Sequence, residues 1–221
     1  LCLETADAGA IYIGRDWTMR GNIIRHNSIH DLGRFADARE FSGTMAVYLD
    51  DCASGSSVIG NVISNAYIGV LIGGGHDNLV ENNILRHCGQ AAVHADARGL
   101  GWAAVFFNGG DTTLFDRLKA VNPKQPPYSV RYPGLAKLEE SNPALPQGNR
   151  VIRNVFVGCT PVVFYNGMNE TTYGFSDNLA LPETEFGAAF EADYRVKPGG
   201  PLAGKLPAFQ AIPFSTIGCR L

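Results

Sequence analysis

Val58-Ile59-Gly60-Asn61-Val62-Ile63 returns as Val80-Glu81-Asn82-Asn83-Ile84-Leu85 and again as Val151-Ile152-Arg153-Asn154-Val155-Phe156. In each stretch an Asn follows an apolar residue by three positions, and another apolar residue comes two positions later. Ile24, Asn27 and Ile29 repeat the pattern, as do Phe175, Asn178 and Ala180. In three copies a second Asn lies five residues earlier, at Asn22, Asn78 and Asn149. Upstream of each copy, or of the insertion before it, is a short β-type run: Ala10–Ile13, Ala46–Leu49, Gly69–Ile72, Ala92–Ala95 and Val162–Tyr165. Self-similarity of this kind marks a stacked-repeat architecture.

The spacing selects the kind of solenoid. Asn61 to Asn83 is 22 residues and Asn154 to Asn178 is 24, too short for a helix pair and right for one β-helix turn. The other intervals, 34 and 71, equal coils plus loops. Short strands would pair in parallel with the coils above and below, about 4.8 Å away. A recurring Asn suits a turn, because it tolerates the left-handed region and its amide bonds to a neighbouring coil. The predicted fold is all-β: a right-handed parallel β-helix of five coils with a partly helical insertion. The hand follows the general right-handedness of parallel crossovers.

Composition agrees and narrows the function classes. The 221 residues suffice for one domain with a substantial core, and 26 Gly with 12 Pro suit a loop-rich β-protein. A net charge of −3 offers no basic footprint for nucleic acid, and no apolar run is long enough to span a membrane. The chain opens at Leu1 directly into a β-run, which reads as a piece lacking N-terminal coils that would cap the stack. Cys88 and Cys159 each fall five residues after a repeat Asn, in a column that also holds Leu32 and Ala66. That column reads as interior, with buried thiols in preference to a disulfide. No cysteine or histidine spacing fits zinc, so neither metal nor cofactor is expected.

Two departures from the repeat carry functional interest, since solenoid insertions gather on one face. The first, 33–43, contains Arg34, Asp37, Arg39 and Glu40. The second, 97–148, contains a helix-like Leu114–Lys119, a Pro-rich stretch and several aromatics, and reads as a packed subdomain beside a cleft. The Pro-punctuated tail, 182–221, reads as an extended strap that lies along the helix and plugs its C-terminal end.

Aligning the β-runs predicts the faces. Ile11, Val47, Val70, Val93 and Val162 form one inward column, and Ile13, Leu49, Ile72, Ala95 and Phe164 the next. Tyr12, Tyr48, Leu71, His94 and Val163 point outward between them, followed by Gly14, Asp50, Gly73, Asp96 and Tyr165. Asp50 and Asp96 are thus expected on one exposed face, two coils or roughly 9.6 Å apart. That is near the upper end of the roughly 6.5–9.5 Å found between carboxylates of inverting glycosidases. Arg15, Asp16, Trp17, Asp51, His76 and Arg98 leave the strands at the same edge, and Asp7 precedes the first. Gly73 would let a ligand approach the backbone. Taken singly, each has a duller role: Asp at a strand end caps a turn, His76 sits in a turn, and Arg15 and Arg98 neutralise the Asp column.

Three stretches carry a resemblance: Asp7-Ala8-Gly9-Ala10-Ile11-Tyr12-Ile13-Gly14-Arg15-Asp16-Trp17, Tyr48-Leu49-Asp50-Asp51 with Ser54-Gly55, and Arg98-Gly99-Leu100-Gly101-Trp102. They resemble β-helix proteins of the pectate-lyase-like superfamily, and most of all secreted bacterial glycoside hydrolases of family 141. The closing Ile212-Pro213-Phe214 with Ile217-Gly218 is similar to the end of such domains. The resemblance implies an exported protein, secreted or periplasmic, that hydrolyses glycosidic bonds of a polysaccharide or oligosaccharide. Asp50, Asp51, Asp96 and Asp16 are the matching catalytic candidates. Asp7, Arg15, Trp17, His76, His94, Arg98 and Trp102 are the candidates for holding the sugar. Two other classes remain open: a polysaccharide lyase, whose base would be Arg15, Arg98 or Lys119, and a carbohydrate-binding β-helix without chemistry.

Overall fold

The computed structural model describes residues 5–32 and 43–216. Residues 33–42 of the first insertion, with Arg34, Asp37, Arg39 and Glu40, lie outside the described residues, as do Cys2, Cys219 and Ile217-Gly218. The chain is a parallel β-helix of five coils with three strands in each. The coils are β1 (Ala8–Gly14), β2 (Ile23–Arg25) and β3 (Ser28–His30); β4 (Thr44–Asp50), β5 (Ser57–Ile59) and β6 (Val62–Ser64); β7 (Ile68–Gly73), β8 (Leu79–Glu81) and β9 (Ile84–Arg86). The last two are β10 (Ala91–Asp96), β11 (Arg150–Ile152) and β12 (Val155–Val157), then β13 (Val162–Phe164), β14 (Phe175–Ser176) and β15 (Leu179–Leu181). Every third strand joins one sheet, ordered β1-β4-β7-β10-β13, β2-β5-β8-β11-β14 and β3-β6-β9-β12-β15.

The columns read from the apolar pattern are the observed ones. Ile11 pairs with Val47, Val47 with Val70, Val70 with Val93 and Val93 with Val162. These residues and the next inward column pack in the central core with Leu32, Ala66 and Cys88. Cys88 is a buried thiol and Cys159 a half-buried one.

The Asn residues stack into a buried ladder. The side-chain oxygen of Asn83 accepts from the backbone N–H of Asn61 at 2.9 Å and from its amide at 3.0 Å. The Asn83 amide donates to Val58 O and to Asn154 Oδ1, both at 2.9 Å. The same bonds link Asn27 to Asn61 and Asn154 to Asn178. A second line runs Ser56, Asn78, Asn149, with Ser56 at the repeat position that Asn22, Asn78 and Asn149 hold in three other coils. The left-handed residue is the one before each ladder Asn: His26, Gly60, Asn82, Arg153 and Asp177 have φ of 57, 62, 56, 55 and 53°. The ladder Asn itself therefore serves as a hydrogen-bond bridge, and its neighbour makes the bend. Asn83→Ala would leave Asn61, Val58 and Asn154 short of partners in a dry core. With about 1–3 kcal/mol for each buried unmatched group, partly relieved by relaxation, we expect a loss of about 2–4 kcal/mol. Denaturant unfolding measures it, and a loss below about 1 kcal/mol would show the ladder to be dispensable.

Between β10 and β11 the chain leaves the helix. It forms 3-10 turns at Arg98–Leu100 and Trp102–Phe106, then α1 (Thr113–Ala120), α2 (Tyr128–Arg131) and α3 (Pro133–Ala136). Ala103, Phe106, Leu114, Leu118, Leu135 and Leu138 close over Trp17 and Cys52 to make a second core. The tail is not simply extended. It holds α4 (Phe186–Ala189) and α5 (Pro201–Lys205), and it packs along a flank of the helix. Phe190, Leu202, Leu206 and Ile212 cover Val62, Ile84, Val155 and Val157 on the outside of the third sheet. Those four alternate with the inward residues of β6, β9 and β12, so without the strap they would face water.

Candidate functional site

The row of Gly14, Asp50, Gly73 and Asp96 forms in the predicted register, Gly14 against Asp50 and Gly73 against Asp96. Its surroundings differ from the expectation of an exposed face. Asp50, Asp51, Asp96 and His94 are 9, 4, 5 and 3% exposed. The cause is Arg98, whose side chain folds back across the row. Its Nε reaches Asp96 Oδ1 at 3.1 Å, its NH2 reaches Asp96 Oδ2 at 3.0 Å, and its NH1 bonds Asp51 Oδ1 at 3.1 Å and also Asp50. Gly73 makes room for it, since a Cβ there would overlap the guanidinium. The space over Gly73 thus holds an arginine and is not open to a ligand.

Around this centre the bonds continue outward. Arg15 donates from Nε and NH2 to Asp51 Oδ2 at 3.0 and 2.6 Å, so Asp51 joins both arginines. The Tyr12 hydroxyl donates to Asp50 Oδ2 at 2.7 Å, and the Tyr48 hydroxyl to Asp7 Oδ1 at 2.9 Å. His94 Nε2 lies 3.1 Å from Asp96 Oδ2, and the imidazole stacks on Tyr165 with centroids 4.8 Å apart. Asp50 and Asp96 are separated by two hydrogen bonds and the width of one guanidinium, which keeps their nearest oxygens within about 9 Å.

Electrostatics follow from this crowding. Burial pushes the Asp96 carboxyl up, but His94 and Arg98 outweigh it and hold Asp96 below the usual carboxylate range. Burial works against the Arg98 charge, yet Asp96 and Asp50 raise its pKa above the ordinary arginine value. Arg15 is raised by its bond to Asp51. Burial, followed by the bond to Asp50, raises the Tyr12 phenol. Burial also pushes the Cys52 thiol up to about 12, which leaves it inert.

Other candidates lie elsewhere in the fold. Asp16 is buried and accepts from the backbone N–H and hydroxyl of Thr18, both at 2.7 Å, while Arg117 approaches its second oxygen at 3.4 Å. Trp17 is fully buried, with Phe115 edge-on at 5.1 Å and Phe107 at 5.8 Å, so it anchors the insertion and offers no stacking face. His76 is 2% exposed; its Nε2 is 2.9 Å from Pro143 O, and its Nδ1 accepts from Gln147 N–H at 3.2 Å. It fastens the returning limb of the insertion and does not face outward. Trp102 is the expected open aromatic, 66% exposed, with Arg98 5.6 Å from its ring. Two residues of the rim were not singled out from the sequence: Tyr12, 55% exposed, and Tyr165, 42% exposed. Both already stood in the outward rows, and an aromatic in such a row was the available signal. A cavity of about 360 Å³ lies between His76, Asp77 and the insertion, one of about 430 Å³ lies within the insertion, and one of about 420 Å³ lies within the strap; none is lined by the Asp50–Asp96 row.

The role of His76 gives a pH prediction. Burial lowers its pKa against the pull of Pro143 O and Asp77, with Arg20 adding to the lowering. Because the folded pKa lies below the unfolded one, its stabilising contribution is complete above about pH 6.5 and declines as pH falls. Protonation would also set two N–H donors, Nδ1 and Gln147, against each other. Tm should therefore fall below about pH 6.5, and His76→Gln should flatten that part of the curve. An unchanged slope in the variant would remove His76 as the cause.

Fold and site together define a parallel β-helix with a buried arginine–carboxylate cluster on one sheet, rimmed by exposed aromatics. In comparisons with protein-family models, curated proteins and solved structures, nothing matched this chain.

Proposed function

We propose that this face binds a polysaccharide or oligosaccharide and hydrolyses its glycosidic bonds, with Asp50 and Asp96 as the carboxyl pair. The observation that carries the reading is the joining of these two carboxylates through one guanidinium, beneath the open rings of Tyr12, Trp102 and Tyr165. Their nearest oxygens lie within about 9 Å, below the upper limit of about 9.5 Å for glycosidase carboxyl pairs. Aromatic faces beside polar acceptors are what a sugar ring needs for stacking and hydrogen bonding. The resemblance to family 141 glycoside hydrolases within the pectate-lyase-like superfamily supports the same reading. It also supports an exported protein.

A lyase fits less well. Its base would have to be a neutral Arg or Lys, yet carboxylates hold Arg15 and Arg98 protonated. Lys119 instead borders a cavity within the insertion. The non-catalytic binding module has one specific observation in its favour: Asp50, Asp51 and Asp96 are all held in ion pairs with Arg98. Incubation with plant and algal polysaccharides separates the three readings. New reducing ends without the absorbance of an unsaturated uronate support hydrolysis. Unsaturated product supports the lyase, and binding without new ends supports the module.

A further inference from the structure

We propose that a bound sugar chain lies lengthwise along the Asp50–Asp96 row, parallel to the helix axis, so that the site acts on internal bonds of a polymer and not on a terminal sugar; the inference rests on the carbohydrate reading above. The row itself sets the direction. Gly14, Asp50, Gly73 and Asp96 follow one another in register from coil to coil. The N–H of Tyr165 bonds Ala95 O at 3.0 Å, which extends the row by one more coil to Tyr165. The row therefore crosses all five coils, a span of four strand spacings or about 19 Å.

Its two ends are aromatic and its middle is ionic. The Tyr12 ring occupies the space that a side chain at Gly14 would take: a Cβ there would lie 2.8 Å from the Tyr12 hydroxyl oxygen and 3.1 Å from its Cζ. Asp50, the Arg98 guanidinium over Gly73, and Asp96 come next along the line. Tyr165 ends it, stacked on His94. Tyr12 leans toward the second coil, where its hydroxyl meets Asp50, and Tyr165 leans back over the fourth. The two rings are thus between two and four strand spacings apart, about 10–19 Å. One sugar ring is too small to touch both, whereas a chain of several units reaches across. Trp102, 66% exposed and with its ring 5.6 Å from Arg98, stands beside the middle of the same line. Platforms on either side of the carboxyl pair hold sugar units on either side of the bond between them. A terminal sugar calls for a concave pocket that encloses it, and none of the three cavities touches the row.

The probes are any plant or algal polysaccharide of the panel above that is bound or cut, and the trisaccharide and hexasaccharide fractions of its own partial acid hydrolysate. Calorimetry should show the hexasaccharide bound at least about tenfold more tightly than the trisaccharide, the equivalent of one further stacking contact. Tyr165→Ala should weaken the hexasaccharide by about tenfold and the trisaccharide by less, which closes the gap. During cleavage, viscosity should fall while few reducing ends have formed, and the first products should be oligosaccharides. Equal affinity for the two lengths, or single sugars as the first product, overturns the lengthwise inference and leaves the carbohydrate reading standing. Length-dependent binding without cleavage overturns hydrolysis and leaves lengthwise binding in place. If no polysaccharide of the panel is bound or cut, both are overturned.

Discussion

Replacing Arg98 with Met is expected to lower the free energy of unfolding by about 3–5 kcal/mol. The side chain is 3% exposed and is the only group bonded to Asp50, Asp51 and Asp96 at once among the described residues. Removing one partner of a buried ion pair leaves the other charge without compensation, and here three carboxylates are left. Asp96→Asn in the Arg98→Met background should recover part of the loss, a coupling that a double-mutant cycle measures. The pH profile gives an independent check. In the parent protein Asp96 is held below the usual carboxylate range, so its contribution is present above about pH 4 and lost as pH falls through the folded value. In the variant Asp96 should protonate more readily, so acid unfolding should begin at higher pH. A loss under about 1 kcal/mol would mean that the cluster is solvated in solution and that Arg98 is not its organising cation.

Asp50→Asn and Asp96→Asn should each lower kcat for glycosidic cleavage by about 10²–10⁴-fold, the usual contribution of a general acid or base. Burial changes what else is expected of these variants. An exposed Asp that merely caps a turn would cost about 1 kcal/mol on removal. These carboxylates neutralise a buried arginine, so Asn should destabilise by more than that, although its carbonyl still accepts from Arg98. Turnover must therefore be measured well below the variant's Tm, and near-UV circular dichroism should show the folded state. Asp16→Asn provides the contrast: Asp16 bonds Thr18 and lies outside the Arg98 cluster, so its loss should spare kcat relative to the other two. If Asp50→Asn and Asp96→Asn both retain full turnover, the pair is not catalytic. If the parent protein binds sugar without cleaving it, the face is a binding module.

Much of this was legible from residue spacing. Alternation within β4, β7 and β10 placed Val47, Val70 and Val93 inward and Asp50 in line with Asp96, because a strand's period of two leaves no other assignment once one face is buried. The Asn interval carried the coil length for a related reason, since each ladder Asn must meet its counterpart one coil away to be satisfied. The strand-end Asp residues could be ordered in a row but not classed as open or closed. That depended on Arg98, which sits two residues beyond Asp96 and turns back over Gly73. Trp17 and His76 were placed at the correct edge, yet what covers them arrives from more than fifty residues away, in the insertion.

Residue spacing alone specifies the solenoid, its register, its inward columns and the alignment of Asp50 with Asp96. These follow from local periodicity, repeated often enough that the coils constrain one another. Long-range packing decided that the Asp row is buried beneath an arginine, that Trp17 and His76 hold the insertion, and that Tyr12, Trp102 and Tyr165 form the open rim. It also decided that the tail covers the third sheet's outer flank. The physical reason is common to all of these. Periodicity says which way a side chain leaves its strand, but burial and pairing depend on what a distant, non-repeating segment lays over it.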